Sequence, residues 1–266
     1  MPLSLWDCAE LARQLVADGV VKAISADTVL RILNHNQLKP WRQHAWLSAR
    51  VPRDAVFAAT VREICELYTR PLGSHEVVLC VDEKTNLQPR GRTAPTRPAR
   101  PQRPVQVEHE YRRSGALHLF AAFDTRTGKV IGWNAPRKRA QEFIAFLELL
   151  DASLPASITT VHLVLDNLSV HKSKAVRDWL ADHLRFVFHF PPVHCSWMNQ
   201  VEQWFSILER KALRLVDFAS TLALDEHIHR FIAHRNAHAH PFNWTSQSVS
   251  RVLARCPAAE AIPDAA

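Results

Sequence analysis

The chain has 266 residues, 47% of them hydrophobic, and it carries 33 Lys and Arg residues against 26 Asp and Glu residues. This length and composition can bury one or two hydrophobic cores, which excludes a disordered protein. The longest apolar runs fall far short of the roughly 20 residues that a membrane helix needs, and no signal-peptide pattern opens the sequence. Because the five cysteines are scattered and form no C-x-x-C pair, we expect a protein of the reducing cytoplasm with no membrane partner.

Most of the positive charge lies in one segment. Residues 84–113 contain eight basic and two acidic residues, a net charge of +6, whereas the whole chain carries +7. The centre of this segment, residues 89–104, holds five prolines and five arginines, namely Arg90, Arg92, Arg97, Arg100 and Arg103. Proline cannot donate to a β-ladder, so we predict an extended, solvated loop. It is either a solubilising linker or an arm whose guanidinium groups contact DNA phosphates.

The N-terminal residues predict a pair of short helices. Apolar residues recur at helical spacing in residues 5–16, and Ser25 is a suitable N-cap for a second helix. The apolar face of the second helix contains Val29, Ile32 and Leu33. Two helices joined by a tight turn predict a helix-turn-helix in which Thr28 and Arg31 face the major groove of DNA. A purely structural helix pair is the alternative.

Basic and aromatic residues alternate after this helix pair, in residues 38–53. Such a segment suits a linker that follows a phosphate backbone, so we expect Lys39 and Arg42 to contact DNA. A third helix is predicted over residues 52–69.

Five segments read as strands because they are continuously apolar or alternate in polarity. They are residues 77–81, 117–123, 129–133, 161–165 and 186–190. The first three predict an antiparallel meander, and helices are predicted before the fourth strand, between the fourth and fifth, and after the fifth. The order βββ-α-β-α-β-α predicts an α/β fold of the ribonuclease H-like type, a mixed sheet flanked by helices and preceded by a small all-α helix-turn-helix segment.

These elements divide the chain into four parts. We predict a helix-turn-helix DNA-binding segment over residues 1–47 and a linker with a helix over residues 48–75. A catalytic domain spans residues 76–250, with the basic segment 84–113 as an insertion, and residues 251–266 form a C-terminal tail.

Three carboxylates occupy related positions in this plan. Two apolar strands end at Asp82 and Asp166, and Glu202 lies in the first turn of the helix after the last strand. If the two strands are neighbours about 4.8 Å apart, the carboxylates can share a metal ion, and oxygen ligands favour Mg²⁺. The purely structural alternatives are that each Asp caps a local turn and that Glu202 completes a capping box that begins at Asn199.

Three blocks of sequence together resemble the catalytic blocks of bacterial insertion-sequence transposases of the mariner superfamily. They are VDEKT at residues 81–85, LDN at residues 165–167 followed by His171, and HCSWMNQVEQWF at residues 194–205. The 35 residues between Asp166 and Glu202 are close to the short second interval of that superfamily. The resemblance implies that Asp82, Asp166 and Glu202 form a metal-binding DDE triad that uses two Mg²⁺ ions, for which Mn²⁺ can substitute.

Four further residues of these blocks are expected beside the metal ligands, namely Asn167, His171, His194 and Asn199. For His171 and His194, a surface or structural role is the alternative.

The resemblance also implies a reaction and its partners. A metal-activated water hydrolyses the phosphodiester bond at each transposon end, and the freed 3′ hydroxyl attacks target DNA at a TA dinucleotide, in a cut-and-paste pathway. The partners are double-stranded DNA, as terminal repeats and as target, and a second copy of the chain, because two ends must be cut together. The protein would work in the bacterial cytoplasm and on the nucleoid when bound to DNA.

Members of the superfamily usually carry two N-terminal helix-turn-helix units, and this chain begins almost directly in what resembles the second. Two hypotheses therefore stay open. The chain is an active transposase, or it is a truncated or domesticated copy that binds terminal-repeat DNA without catalysing transposition.

Overall fold

The structure is a computed structural model that describes residues 6–38, 54–193, 195–214, 216–245 and 250. The contacts within the chain divide it into two compact units, Met1–Arg50 and Val51–Ala266. Among the helices formed by the described residues, none has the length and apolar character needed to cross a membrane.

The first unit contains two helices, α1 (Cys8–Ala17) and α2 (Ala26–His35). The predicted N-cap is confirmed, because the Ser25 hydroxyl accepts a hydrogen bond from the backbone N–H of Thr28. Val29 is buried as predicted, but Ile32 is 50% exposed. The assignment of Ile32 to a buried face is therefore wrong, because no described residue of this unit covers that side of α2.

The second unit is built on strands that follow the predicted order. They are β1 (Glu76–Leu87), β2 (Arg90–Arg92), β3 (Tyr111–Arg113), β4 (Leu117–Asp124), β5 (Val130–Ala135), β6 (Thr160–Val164) and β7 (Phe186–His189). Five of these strands form one mixed sheet in the order β5-β4-β1-β6-β7. β4 runs antiparallel to β1 and β5, which confirms the predicted meander, whereas β6 runs parallel to β1 and β7.

Helices cover both faces of this sheet. They are α3 (Ala55–Thr69), α4 (Ala140–Ser153), α5 (Lys174–Asp182), α6 (Val201–Leu208) and α7 (Thr221–Ala237). The core on one face contains Phe143 of α4 and Val176 of α5. The core on the other face contains Ile64 of α3, Trp204 of α6 and Ile228 of α7. The sequence analysis placed residues 48–75 outside the catalytic domain, but α3 packs into the core of the second unit.

The end predicted for the first strand is wrong. β1 continues past Asp82 to Leu87 and keeps pairing with β4 over this stretch. Its other neighbour, β6, ends at Val164, opposite Cys80. From Asp82 onward β1 therefore has a paired strand on one side only, so polar side chains are tolerated and the apolar run stops before the strand does.

The basic insertion is a two-stranded ribbon and not the predicted loop. β2 pairs antiparallel with β3, and isolated bridges join Arg97 to Gln106 and Arg100 to Arg103. We call residues 90–113 the arginine ribbon. None of its prolines is a paired residue, so their missing N–H groups fall outside the ladder. The prediction of a loop failed because it considered how many prolines the segment contains and not where they lie relative to the paired residues.

A single arginine ties the β4–β5 hairpin to the end of α3. Arg126 donates hydrogen bonds to the backbone oxygens of Tyr68, Leu67 and Arg70, at 2.8, 3.1 and 2.6 Å. The last carbonyls of a helix have no partner within the helix, so the guanidinium group supplies the missing donors.

We expect Arg126→Ala to lower the free energy of unfolding by about 1–3 kcal/mol, because the carbonyls at the end of α3 lose their donors. Urea denaturation measures this. Arg62→Ala, on an exposed part of the same helix, is the matched control and should change stability by less than about 0.5 kcal/mol. Equal effects of the two substitutions would contradict the role assigned to Arg126.

Candidate active site

The pairing of β1 with β6 brings the first two carboxylates together. The parallel register joins Cys80 to Val164, so Asp82 and Asp166 each lie two residues beyond this pair. Their strands are therefore neighbours, which was the condition for the two carboxylates to share a metal ion. Asp82 shares a strand face with Cys80, which packs toward α3 and α6.

The third carboxylate comes from the helix on that face. Glu202 is the second residue of α6, whose N-cap Gln200 makes no side-chain capping bond, so the capping-box alternative is wrong. Asn199 instead donates from Nδ2 to the oxygen of Val81, at 2.8 Å. The Tyr68 hydroxyl donates to the oxygen of Met198, also at 2.8 Å. These two buried bonds fix the start of α6 against β1 and α3.

Asp82, Asp166 and Glu202 line one cavity of about 310 Å³. The cavity wall also contains the amide side chains Asn167 and Asn199 and an apolar group of Leu168, Pro191, Pro192 and Val193. Among the described residues, no three His, Cys, Asp or Glu side chains lie close enough together to hold a metal ion as they stand. The three carboxylates thus surround an open space and do not form a closed cage.

Burial raises the pKa of Asp82 to about 8. The negative charges of Glu83, Asp166 and Glu202 contribute to this rise, and the hydrogen bond from the backbone N–H of Glu83 to Oδ1, at 2.7 Å, opposes it. Asp82 is therefore protonated at neutral pH unless a cation joins the cavity.

Asp166 is affected in the opposite direction. Although burial raises its pKa, the hydrogen bonds from His171 and from the backbone N–H of Leu168 outweigh burial and hold the pKa below its usual value. His171 Nδ1 and the Leu168 nitrogen lie 3.0 and 3.1 Å from Oδ1. Asp166 thus forms the local turn that was the alternative to a site role, and it lines the cavity as well.

His171 lies between two carboxylates. Its Nε2 is 3.0 Å from Glu83 Oε1, its Nδ1 faces Asp166, and its side chain is completely buried against Phe143. Burial lowers the pKa of His171, but the bonds to Asp166 and Glu83 dominate and raise it to about 10. The ring is an imidazolium at neutral pH, and the surface role considered for it is wrong.

Glu83, which was not predicted from the sequence as a site residue, has a side chain that is only 4% exposed. Successive residues of a strand point to opposite faces, so Glu83 reaches the side of α4 and His171 while Asp82 reaches the side of α6. The signal in the sequence was the position of Glu83, a charged residue that directly follows Asp82 on a buried strand.

The two asparagines predicted beside the ligands lie in the cavity wall. Asn167 donates to the oxygen of Pro191, at 2.5 Å, and accepts from Lys172 Nζ, at 2.6 Å. Asn199 Oδ1 is buried and has no hydrogen-bond partner among the described residues. His194 lies outside the described residues.

The residues predicted to contact DNA are spread over both units. In the first unit, Arg31 donates to the Thr28 hydroxyl, at 3.2 Å. Lys39 and Arg42 lie outside the described residues. In the arginine ribbon, the Arg92 guanidinium is 8% exposed and pairs with Asp217, and Arg90 lies over the ring of Tyr111. The other three arginines, Arg97, Arg100 and Arg103, are exposed.

Comparisons with known proteins agree with this geometry. Residues 77–225 match the family model of the DDE superfamily endonucleases. The chain is 29% identical over 123 residues to the insertion element IS630 uncharacterized 39 kDa protein of Shigella sonnei. That match covers 46% of this chain and 34% of the relative, so the chain matches only about a third of the relative's length.

Two solved structures are similar over nearly the whole chain. The Mos1 mariner paired-end complex with Mn matches with a TM-score of 0.57 and 16% identity, over 94% of this chain and 72% of that one. The Mos1 transposase paired-end complex with the left transposon end matches with a TM-score of 0.54 and 15% identity, over 96% and 81%. These matches confirm the predicted ribonuclease H-like fold. Because the family model covers more than half of the sequence, the chain belongs to the DDE superfamily endonucleases.

Proposed function

We propose that this chain is a DNA transposase that cuts the ends of an insertion element and joins the freed 3′ ends to target DNA. The observation that carries the proposal is the convergence of Asp82, Asp166 and Glu202 on one cavity, in a chain that belongs to the DDE superfamily endonucleases. Cut-and-paste transposition at a TA dinucleotide is the pathway we propose, on the resemblance of the sequence to the mariner superfamily.

The donor set suits hard divalent cations, and we propose that the three carboxylates hold two Mg²⁺ ions, with Mn²⁺ as a substitute. Mg²⁺ binds through one or two carboxylates, keeps several waters and shares substrate phosphates, which suits an open cavity better than a closed cage. The buried, unpartnered Oδ1 of Asn199 offers one more oxygen in the cavity wall. When bound, such ions activate a water and stabilise the leaving 3′ oxygen.

The surrounding residues hold the carboxylates in fixed orientations. His171 and the Leu168 N–H both reach Oδ1 of Asp166, and no hydrogen bond from a described residue reaches its Oδ2. The Glu83 N–H likewise binds Oδ1 of Asp82. One oxygen of each aspartate therefore accepts hydrogen bonds that position the side chain, and the other is left for the proposed metal ion. Outer residues tune metal sites in this way.

DNA is the proposed partner of both units. In the first unit we propose a helix-turn-helix over residues 1–47, with Thr28 and Arg31 of α2 toward the bases and Lys39 and Arg42 toward the backbone. In the second unit we propose that three exposed arginines of the ribbon, Arg97, Arg100 and Arg103, contact phosphates. We leave Arg92 out, because Asp217 already neutralises it. A homodimer follows from the need to cut two ends together.

The second candidate function is a copy that binds terminal-repeat DNA without cutting it. Both candidates require the DNA-binding elements, but only the transposase requires the three carboxylates.

Loss of single carboxylates separates the two candidates. We expect Asp166→Asn and Glu202→Gln each to lower Mg²⁺-dependent cleavage of terminal-repeat DNA by at least about 100-fold, because the metal loses a ligand. Binding measured by fluorescence anisotropy should change by less than about threefold. Asp178→Asn, on an exposed part of α5, is the control and should cleave as the wild type does. Tight binding by the wild type without any cleavage would support the binding-only candidate.

The free energy of unfolding of the metal-free protein should depend on pH through the ionisation of Asp82. The pKa of this group is about 8 in the folded chain and about 3.8 in the unfolded chain. Between pH 3.8 and pH 8, Asp82 keeps its proton in the folded state and has lost it in the unfolded state. The contribution of this proton to the free energy of unfolding is therefore complete near pH 4 and is lost as the pH rises to 8. We expect Asp82→Asn to become more stable than the wild type over this range, by about 1–3 kcal/mol at pH 8.

Urea denaturation at several pH values, with EDTA, measures the difference. Saturating Mg²⁺ at pH 8 should then stabilise the wild type more than the variant, because the variant lacks the Asp82 carboxylate that would bind the ion. A difference between the two proteins that does not change with pH would contradict the burial of an ionisable carboxylate.

The exposed arginines of the ribbon predict a salt effect. We expect Arg97, Arg100 and Arg103, all replaced by Ser, to weaken DNA binding and to reduce the slope of log K against log salt by about 2–3, which is about 0.9 for each lost phosphate contact. The double variant Arg62→Ser, Arg230→Ser removes exposed charges from α3 and α7 and should keep the wild-type slope. An unchanged slope in the triple variant would return the ribbon to the role of a linker.

A further inference from the structure

A second, smaller cavity lies beside the candidate active site, within the second unit. Its volume is about 140 Å³. The polar side chains of its wall are mostly basic or amide groups, Lys84, Asn86, Gln88, Arg90, Arg92 and Arg214. Drug-sized ligands occupy cavities of roughly 300–1,000 Å³, so this one suits a small anionic group better than a whole nucleotide.

The two elements that carry catalytic carboxylates also build this cavity. Lys84 follows Asp82 by two residues on the same face of β1, about 7 Å along the strand. Glu209 follows Glu202 by seven residues, about 10 Å along the helix. The cavity wall is therefore built in part from segments that directly follow the carboxylates, so an anion in this cavity lies close to the candidate active site.

An irregularity in β1 shapes the cavity wall. The pairing with β4 shifts register between Lys84 and Leu87, and Asn86 has a φ of 58°, in the left-handed region. Bulges of this kind redirect side chains and occur next to active sites. The Gln88 amide donates to Asn86 Oδ1, at 3.0 Å, so two amide side chains are held together at the cavity.

The cavity has more positive charge than its acids neutralise. Lys84 pairs with Glu209, at 3.1 Å, and Arg92 pairs with Asp217. Within the part of the chain that the structure describes, Arg90 and Arg214 form no ion pair, although both line the cavity. Two guanidinium groups thus face a small polar space without a carboxylate partner.

We propose that this cavity binds a backbone phosphate of the DNA strand that is cut, close to the scissile bond, through Arg90 and Arg214. A guanidinium fork matches the geometry of phosphate oxygens, and the small volume admits a phosphate group while its nucleoside stays outside. The contact would hold the strand at a second point, so that the scissile phosphate lies at the carboxylates. This inference rests on the proposed function and adds a site to it.

The test combines a protein variant with a chemically altered DNA. Terminal-repeat duplexes carry one neutral methylphosphonate at each phosphate in turn near the cleavage point, which is mapped first with the wild type and Mg²⁺. Binding is measured in EDTA by fluorescence anisotropy. With the wild type, we expect one position close to the cut to weaken binding about 5–10-fold.

Arg214→Gln should bind the unmodified duplex about 5–10-fold more weakly and lose all further sensitivity at that one position. Arg90→Gln should behave in the same way, and it serves as the second variant if Arg214→Gln fails to fold. Arg214→Lys should recover part of the affinity. Arg230→Gln, an exposed arginine of α7, is the matched control and should keep the wild-type sensitivity at every position.

Each other outcome overturns the inference. If Arg214→Gln and Arg90→Gln remain as sensitive as the wild type at every position, the cavity does not hold a DNA phosphate. If inorganic phosphate binds saturably to the wild type and not to Arg214→Gln, while no methylphosphonate effect appears, the cavity is a site for the free anion. A wild type that binds and cuts DNA without this coupling leaves the proposed function intact, whereas a wild type that does neither removes both.

Discussion

The burial of an ionisable carboxylate beside two others is the constraint on which this structure depends. The parallel pairing of β1 and β6 places Asp82 beside Asp166, and α6 adds Glu202 to the same cavity. The cost appears at Asp82, where burial and then the neighbouring charges raise the pKa to about 8. The fold does not relieve this cost by moving the side chains apart. It holds Asp82 and Asp166 in place with backbone N–H groups and the imidazolium of His171, an arrangement that suits the divalent cation proposed for this cavity.

The buried imidazolium of His171 connects the two faces of the sheet. Asp82 and Glu83 are adjacent in β1, yet they point to opposite layers, one toward α6 and the other toward α4. His171 bridges Glu83 to Asp166, so the charge of a residue on the α4 side orients a carboxylate of the cavity. The start of α6 is fixed separately, by Asn199 on Val81 and by Tyr68 on Met198. Both layers therefore determine where the carboxylates stand.

Much of this arrangement could be predicted from the sequence because strands buried on both faces produce continuous apolar runs. The order of the strands, the antiparallel meander and the proximity of Asp82 to Asp166 followed from those runs. The end of β1 did not, because a strand with one paired neighbour loses its apolar pattern while it keeps its hydrogen bonds. The ribbon was missed because composition ignores which residues pair, and Glu83 because its partner His171 is 88 residues away. Neither depends on a local pattern.

The central proposal is that the three carboxylates form a divalent metal site. Diffraction from crystals soaked in Mn²⁺ tests this proposal most directly. Anomalous scattering locates the ion without reference to activity. We expect a peak in the cavity, with carboxylate oxygens of Asp82 and of Asp166 or Glu202 as direct ligands, and its loss in crystals of Asp166→Asn. Saturating Mn²⁺ with no peak in this cavity, or a peak that persists unchanged in the variant, would contradict the account.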